Sequence, residues 1–475
     1  MTPVGSAPSS PRSSPLARSL DLRSALAVNL IQICGISPFL TIPLMLAAMG
    51  GPQAMLGWIA GAVLAIADGM VWAELGAAMP GAGGTYLYLR EAFQYRTGRL
   101  MPFLFVWTAM LVIPAIMSTG VIGIVQYLGY YLPALSSVSA HLIALAVVGL
   151  IVTLLYRDIA SIGRLTAVLC LVMLLTVGLT ILAAFSHFNS HLAFAFPAGA
   201  FRLQRPFFTG LGTALLLATY DYAGYNTTAY LAGELRDPGR VLPRSILYSV
   251  LIMMVLYLTM NIGILGVVPW LELVQSKSVG SLVMERAWGP AAADILTALI
   301  IITGFASVFA GLLGGSRVPY HAAKDGVFLP WFGRLHPRLR FPHVALLTMG
   351  FLTAAGTFFE LGDLINLLTA VMVLVQSLGQ VVALTVLRRR QPQLPRPYRM
   401  AGYPLTSLIA LAGWLYVYYS SGGKMIALSL LWLGIGLAAF AAWARVGRIW
   451  PFGPIEIREE FAGVKEASSG TSHSR

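Results

Sequence analysis

The sequence predicts an all-α membrane protein with twelve transmembrane helices. Three observations point there: an apolar composition, apolar runs of bilayer length, and basic residues confined to alternate loops. Apolar residues fill 57% of the 475 positions and charged residues only 10%, with a mean hydropathy of +0.78. A water-facing domain carries about 25% charged residues. The apolar residues come in runs of about 20, enough for a helix to cross a hydrocarbon core of roughly 30 Å. Hydrocarbon offers the backbone no hydrogen-bonding partner, so only helices and closed barrels span it. Barrel strands would show short alternating segments instead.

Twelve runs stand between loop signals, at 24–48, 53–78, 100–131, 137–156, 164–185, 207–232, 244–267, 289–316, 343–360, 363–387, 403–421 and 424–446. With the N-terminus inside, 26 of the 31 Lys and Arg residues fall in cytoplasmic segments. Arg202, Arg205, Lys277, Arg286 and Lys424 remain outside. This asymmetry follows the positive-inside rule and puts both termini in the cytoplasm of an integral protein of the plasma (inner) membrane. The formal charge of +13 therefore reflects orientation, and no nucleic-acid partner is expected; the bilayer lipid is the surrounding partner. Residues 1–23 and 447–475 read as polar cytoplasmic tails. The Ser/Pro-rich start lacks the apolar core of a signal peptide and reads as disordered. Cys34 and Cys170 both fall inside spans and read as small buried thiols without a disulfide.

Two spans contain poor helix. In span 1 the segment Cys34-Gly35-Ile36-Ser37-Pro38-Phe39 combines a weak helix former with a proline that lacks an amide hydrogen and clashes with the preceding turn. In span 6, Tyr220-Asp221-Tyr222-Ala223-Gly224-Tyr225-Asn226 puts a carboxylate, an amide and three phenols around a glycine at membrane depth. The breaks lie five spans apart, so the two helices run in opposite directions, as an inverted repeat requires. Paired interrupted helices are the best sequence pointer to a transporter's binding site. Unwinding frees amides that hold a carboxylate and carbonyls that hold an ammonium or cation, and an α-amino acid carries both groups. The competing reading is a proline kink in span 1 and polar packing in span 6.

At these residues the chain resembles the amino acid–polyamine–organocation superfamily, the amino acid permeases. Gly35 to Pro43 looks like the family's Gly-Ser-Gly-Ile-Phe segment and its following proline. Ala73-Glu74-Leu75-Gly76 and Pro80-Gly81-Ala82-Gly83-Gly84-Thr85-Tyr86 look like the end of span 2 and the loop after it. Tyr220 to Asn226, with Gly233-Glu234, Asp237-Pro238-Gly239-Arg240 and Pro243-Arg244, resembles span 6 and its exit, and Ser316-Arg317 through Lys324-Asp325-Gly326 resembles the loop after span 8. The resemblance implies a five-plus-five inverted repeat over 24–387, with broken helices 1 and 6 and two peripheral helices at 403–446. It implies a secondary transporter moving amino acids or related organic amines, such as polyamines, by alternating access, with no cofactor. It also implies that Gly35, Ile36 and Ser37, with Phe39 beside them, face the substrate. Tyr220 would be the aromatic gate, and Gly224 and Asn226 would line the opposite side. Two departures stand out: Pro38 follows Ser37 where the family more often has glycine and isoleucine, and Val172 and Met173 lie near the place where some proton-coupled members carry a lysine.

Ionised carboxylates at membrane depth are expensive and mark ion or proton paths. Asp68 in span 2 and Asp221 in the break are accordingly candidates for a coupling proton or cation, with Ser307 on span 8. For Asp221, holding a substrate ammonium, carrying a proton and bonding freed amides all stay open. Ser307 has the bland alternative of bonding its own helix. Glu74 and Glu234 read as loop anchors through Arg90, Arg236 or Arg240. Gly57 and Gly61 form a Gly-x-x-x-Gly, a signal for close helix packing. No histidine has metal-ligand spacing, and no phosphate-binding Gly-x-x-x-x-Gly-Lys motif supports ATP-driven transport. Two other readings stand beside transport. A membrane-embedded enzyme would need a catalytic cluster, and no catalytic residue is assigned. A nutrient sensor would bind without turnover.

Overall fold

The computed structural model describes residues 20–33, 35–80, 84–156, 162–230, 232, 235–338 and 341–456, with backbone only at 31, 162–170 and 230. Cys34, Gly233, Glu234 and residues 1–19, 81–83 and 457–475 lie outside this set, as does the side chain of Cys170, so the readings made on them have no structural counterpart. Among the described residues the regular structure is helical, with a single isolated bridge between Leu20 and Leu235. Each apolar run falls on a helix or a pair of helices. Following the runs, we label them α1a (Leu22–Ile33), α1b (Ser37–Met49), α2 (Met55–Ala78), α3 (Leu100–Tyr131), α4 (Ser137–Leu155), α5 (Ile162–Ser186), α6a (Arg205–Asp221) and α6b (Thr227–Tyr230). They continue as α7 (Pro238–Val267), α8 (Pro290–Gly315), α9 (His343–Gly356), α10 (Leu361–Met372 and Leu378–Arg390, joined by a π segment), α11 (Leu405–Ser420) and α12 (Gly423–Gly447).

Seven helices are long and apolar enough to cross a membrane by length and composition alone, and four shorter apolar helices accompany them. Spans 1 and 6 are not among the seven because each is cut. Their pieces run 12, 13, 17 and 4 residues, against the roughly 20 that a crossing needs. The chain is an integral membrane protein.

The two cuts have different local causes. Pro38 does not kink a continuous helix; it is the second residue of α1b. There its missing amide hydrogen would have lacked a partner anyway, and its fixed φ suits the first turn. In span 6 the chain leaves α6a through turns at 222–226, with Gly224 at φ +117°. A side chain is disfavoured in that conformation. A Cβ on Gly224 would also stand 2.8 Å from Cγ and 2.9 Å from the backbone carbon of Gln32 on α1a.

Small residues set how closely the helices approach. Cβ atoms at Gly57 and Gly61 of α2 would each lie 2.7 Å from Cβ of Ala214 and Ala218 on α6a, so the Gly-x-x-x-Gly packs onto an Ala-x-x-x-Ala. Lower on α2, Gly69 and Gly76 meet Ile246 and Leu242 of α7. On the other side, Gly120 of α3 meets Val308 of α8, and Gly311 and Gly315 of α8 meet Met117 and Ile113.

At the end of the molecule that carries most of the basic loops, Glu74 is fully buried. Its partners differ from the arginines expected of it. Arg388 at the end of α10 donates two hydrogen bonds at 2.7 and 2.5 Å, the Met400 amide donates a third at 2.7 Å, and Arg396 stands at 3.6 Å. Arg90 instead binds its neighbour Glu91. Thus Glu74 fixes the linker between α10 and α11 to α2, a contact 314 residues apart in sequence that no local pattern encodes. Two loop motifs also meet: the Tyr86 hydroxyl donates to Asp325 at 2.5 Å.

Removing one member of a buried ion pair leaves an uncompensated charge. We expect Arg388→Ala to lower thermal stability in detergent by the equivalent of about 2–4 kcal/mol, while Arg390→Ala, whose side chain is exposed, leaves the melting temperature unchanged. Gly224→Ala should cost at least about 1–3 kcal/mol through backbone strain. Gly362→Ala, where a Cβ meets nothing within 4 Å, should be neutral or stabilising in the same melting assay.

Candidate functional site

The two breaks face each other. Thr41 of α1b binds Asp221 of α6a, and farther along Gly210 of α6a lies against the backbone oxygen of Ala48. On the other side of the breaks Gln32 lies against Gly224, Asn29 accepts a hydrogen bond from the Thr228 amide at 3.0 Å, and Leu20 pairs with Leu235. Across Ala48–Gly210, Thr41–Asp221, Gln32–Gly224 and Asn29–Thr228, falling numbers on one segment meet rising numbers on the other, so the interrupted helices run antiparallel through the breaks; the Leu20–Leu235 bridge beyond them is parallel. This is the opposed direction that the odd span offset requires.

The freed backbone groups converge. α1a ends at Ile33 and α6a ends at Asp221, and both carbonyls lie within reach of one hydroxyl, that of Tyr257 on α7, at 3.0 and 3.3 Å. A phenol has one proton to donate, so the two helix ends share it. Tyr257 is fully buried, its ring 5.7 Å from that of Tyr222. Such sharing answers the demand that backbone groups inside a bilayer find partners within the protein.

Asp221 is fully buried at the seam of three helices. Its Oδ2 accepts hydrogen bonds from Thr41 of α1b at 2.7 Å and from the indole of Trp58 on α2 at 3.2 Å. Its other oxygen, Oδ1, is enclosed without a hydrogen-bonding partner. A buried acceptor in that condition is costly unless a proton or a bound donor meets it.

The remaining aromatics of the span 6 segment reach out in three directions. Tyr220 shares a 2.6 Å hydrogen bond with Thr119 of α3, tying α6a to the helix across the breaks. Tyr222 donates to the Trp58 carbonyl at 3.2 Å. Tyr225 donates to Asp68 at 2.6 Å. Asp68 is buried on α2, and its second oxygen accepts from the Trp414 indole of α11 at 2.9 Å.

The candidate residues of span 1 divide by side chain and backbone. Ile36 is buried, its side chain packed toward Gly123 of α3 and Gly304 of α8, so only its backbone is available at the break. Phe39 is buried toward Gly280, beside Tyr127. Gly35 and Ser37 are half-buried. A Cβ on Gly35 would stand 3.4 Å from the hydroxyl of Ser307, so this α8 serine does look onto the break. In span 6, Gly224 faces Gln32 instead of an opposite wall, while Asn226 is half-buried and its carbonyl receives the Ala229 amide at 2.9 Å. Asn29, Thr41, Trp58, Thr119 and Tyr257 were not anticipated. Each is a lone polar or aromatic residue in an apolar run, a signal that marks burial of a polar group but not what it touches. Among the described residues no group of three His, Cys, Asp or Glu side chains is arranged to hold a metal ion.

Comparison with known proteins identifies the family. Residues 22–444 match the family model described as "Amino acid permease". A branched-chain amino acid permease, BcaP, of Bacillus subtilis (strain 168) is 26% identical over 425 residues, covering 84% of this chain and 87% of that protein. The serine/threonine exchanger SteT of the same organism is 25% identical over 425 residues, covering 86% and 91%. Its aspartate-proton symporter is 22% identical over 405 residues, covering 80% and 75%. With a family match that spans both broken helices and nearly all the described helices, this chain belongs to the amino acid permease family.

Proposed function

We propose that this protein is a secondary transporter that carries amino acids across the plasma membrane by alternating access, binding them between the two helix breaks. The observation that carries this reading is the convergence of two antiparallel broken helices on one seam, with the start of α1b, the Asp221 carboxylate and the Ser307 hydroxyl around it. The start of α1b suits a substrate carboxylate because a helix start is electropositive; since Pro38 has no amide hydrogen and the Phe39 amide bonds the Ile36 carbonyl, the Ser37 amide is the one offered there. An ammonium suits the carbonyls and the carboxylate at the end of α6a. The relatives named above differ in substrate and in coupling, so amino acids as a class are the part that carries over.

Within this proposal the fold is twelve spans arranged as a five-plus-five inverted repeat over 24–387, with α11 and α12 peripheral and both termini cytoplasmic. Asp221 is the group that receives a coupling proton or the substrate ammonium at Oδ1. Asp68, whose two oxygens already receive Tyr225 and Trp414, serves as a structural tie. Tyr220 gates the site from the side of Thr119.

Uptake of a radiolabelled amino acid panel into proteoliposomes tests the reading. Accumulation of at least one amino acid under an imposed proton or sodium gradient, or by exchange, is expected; saturable binding with no flux would replace transport with sensing. Asp221→Asn should lower gradient-driven uptake by about 10- to 100-fold, the worth of one hydrogen bond to a charged group. Unaltered uptake and pH dependence in that variant would remove Asp221 from coupling. Tyr257→Phe leaves two helix ends without their shared donor, so it should cost about 1–3 kcal/mol of stability and slow transport. Tyr419→Phe, at an exposed ring, should match the parent in both assays.

A further inference from the structure

A cavity of about 340 Å³ opens at the basic end of the molecule, between α2 and α7. Its walls are α2, through Ile66 and Met70, and the first turns of α7, through Arg240, Arg244 and Tyr248; Pro397 and Tyr398 of the linker before α11 complete it. The wall is built firmly. A Cβ on Gly69 would lie 2.6 Å from Ile246, and one on Gly239 would lie 2.5 Å from Pro397. The same linker is held to α2 through the buried Glu74 and its bonds to Arg388 and the Met400 amide.

Arg240, Arg244 and Tyr248 recur every fourth residue, so they share one face of α7. All three are exposed, and the face continues into exposed Leu251, Ile252 and Val255. Read along the helix, this face passes from guanidinium to phenol to aliphatic side chain. That is the polarity order of a phospholipid from headgroup to acyl chain. The only carboxylate within ion-pair range of Arg240 among the described residues is Asp237, at 3.7 Å and itself exposed. Basic pockets between helices on the cytoplasmic side hold anionic headgroups, and a guanidinium matches phosphate oxygens in paired hydrogen bonds.

We propose that this groove is a binding site for an anionic phospholipid, with Arg240 and Arg244 on the headgroup phosphate and the acyl chain against Ile66, Met70 and Tyr248. The lipid would bridge α2, α7 and the α10–α11 linker. Binding does not depend on the transport reading, because its readout is lipid retention and not flux.

The test uses the full-length protein purified in mild detergent, with native mass spectrometry and thermal melting. Phosphatidylglycerol, phosphatidylcholine and inorganic phosphate are compared as additives. Retention of phosphatidylglycerol and a rise in melting temperature are expected, with no comparable effect of phosphatidylcholine or phosphate. The double variant Arg240→Gln/Arg244→Gln should weaken retention roughly thirtyfold, each charge contributing about fivefold. Arg202→Gln/Arg205→Gln, which removes an exposed basic pair elsewhere, should retain the lipid as the parent does. Met70→Trp, which fills the groove and keeps both arginines, should also lose retention. Equal retention of both lipids by the parent would overturn the proposal, and so would equal stabilisation by inorganic phosphate, which would indicate a free-anion site. Undiminished retention in the double variant or in Met70→Trp would overturn it as well.

Discussion

A peptide group inside hydrocarbon must find its hydrogen bond within the protein, and the rest of this structure follows from that demand. Ten of the twelve apolar runs meet it by staying helical. Two do not, and their ends need partners from elsewhere. The carbonyls of Ile33 and Asp221 find them in one phenol, Tyr257, so the two broken helices are stabilised jointly and not separately. Each break leaves a helix end that needs a donor at membrane depth, and both draw on the one phenol of α7. The Thr228 amide at the start of α6b is met in the same way by Asn29 of α1a. The irregular backbone is thus confined to a partly buried seam between helices; at membrane depth such backbone is tolerated where it is buried in protein or lines a water-filled cavity.

Three buried carboxylates show how much the surroundings decide the role of one chemical group. Glu74 receives Arg388, Arg396 and an amide, and acts as a staple for a distant linker. Asp68 receives a phenol and an indole on its two oxygens and ties α2 to the span 6 break and to α11. Asp221 receives the Thr41 hydroxyl and the Trp58 indole on one oxygen and keeps the other unmet. All three are almost fully removed from water. Only the last has acceptor capacity left over, and it sits where the two helices are interrupted. A saturated carboxylate can hold structure together; an unsaturated one has something to exchange.

The packing separates parts that are tightly joined from parts that meet through fewer links. α2 lies against α6a and α7 through glycines at 57, 61, 69 and 76, with α1b and α6a in backbone contact at Gly210. α3 and α8 form their own close pair through Gly120, Gly311 and Gly315. Between these two groups run the Tyr220–Thr119 hydrogen bond, the packing of Ile36 and of Leu40 of α1b against Gly123 of α3, and that of Ile36 against Gly304 of α8. Closely packed small-residue interfaces resist sliding, whereas a single hydroxyl pair can be exchanged for water.

The sequence by itself determined the solvent, the apolar runs and the two interruptions, because each rests on chain-local physics: the length that spans hydrocarbon, and the effect of Gly35, Pro38 and Gly224 on a helix. It also marked Asp221 as unusual, since a carboxylate amid phenols in an apolar run is conspicuous without any coordinates. Partnership was not legible. That Tyr257 serves both helix ends, that Glu74 chooses Arg388 over Arg90, that Gly224 faces Gln32 and that Phe39 turns toward Gly280 are matters of which helix stands beside which. Hydropathy and spacing say that a residue is buried and on which face of its own helix it lies. They carry nothing about the neighbour across the gap, and in a bundle whose key contacts join residues hundreds of positions apart, only the tertiary packing supplies that neighbour.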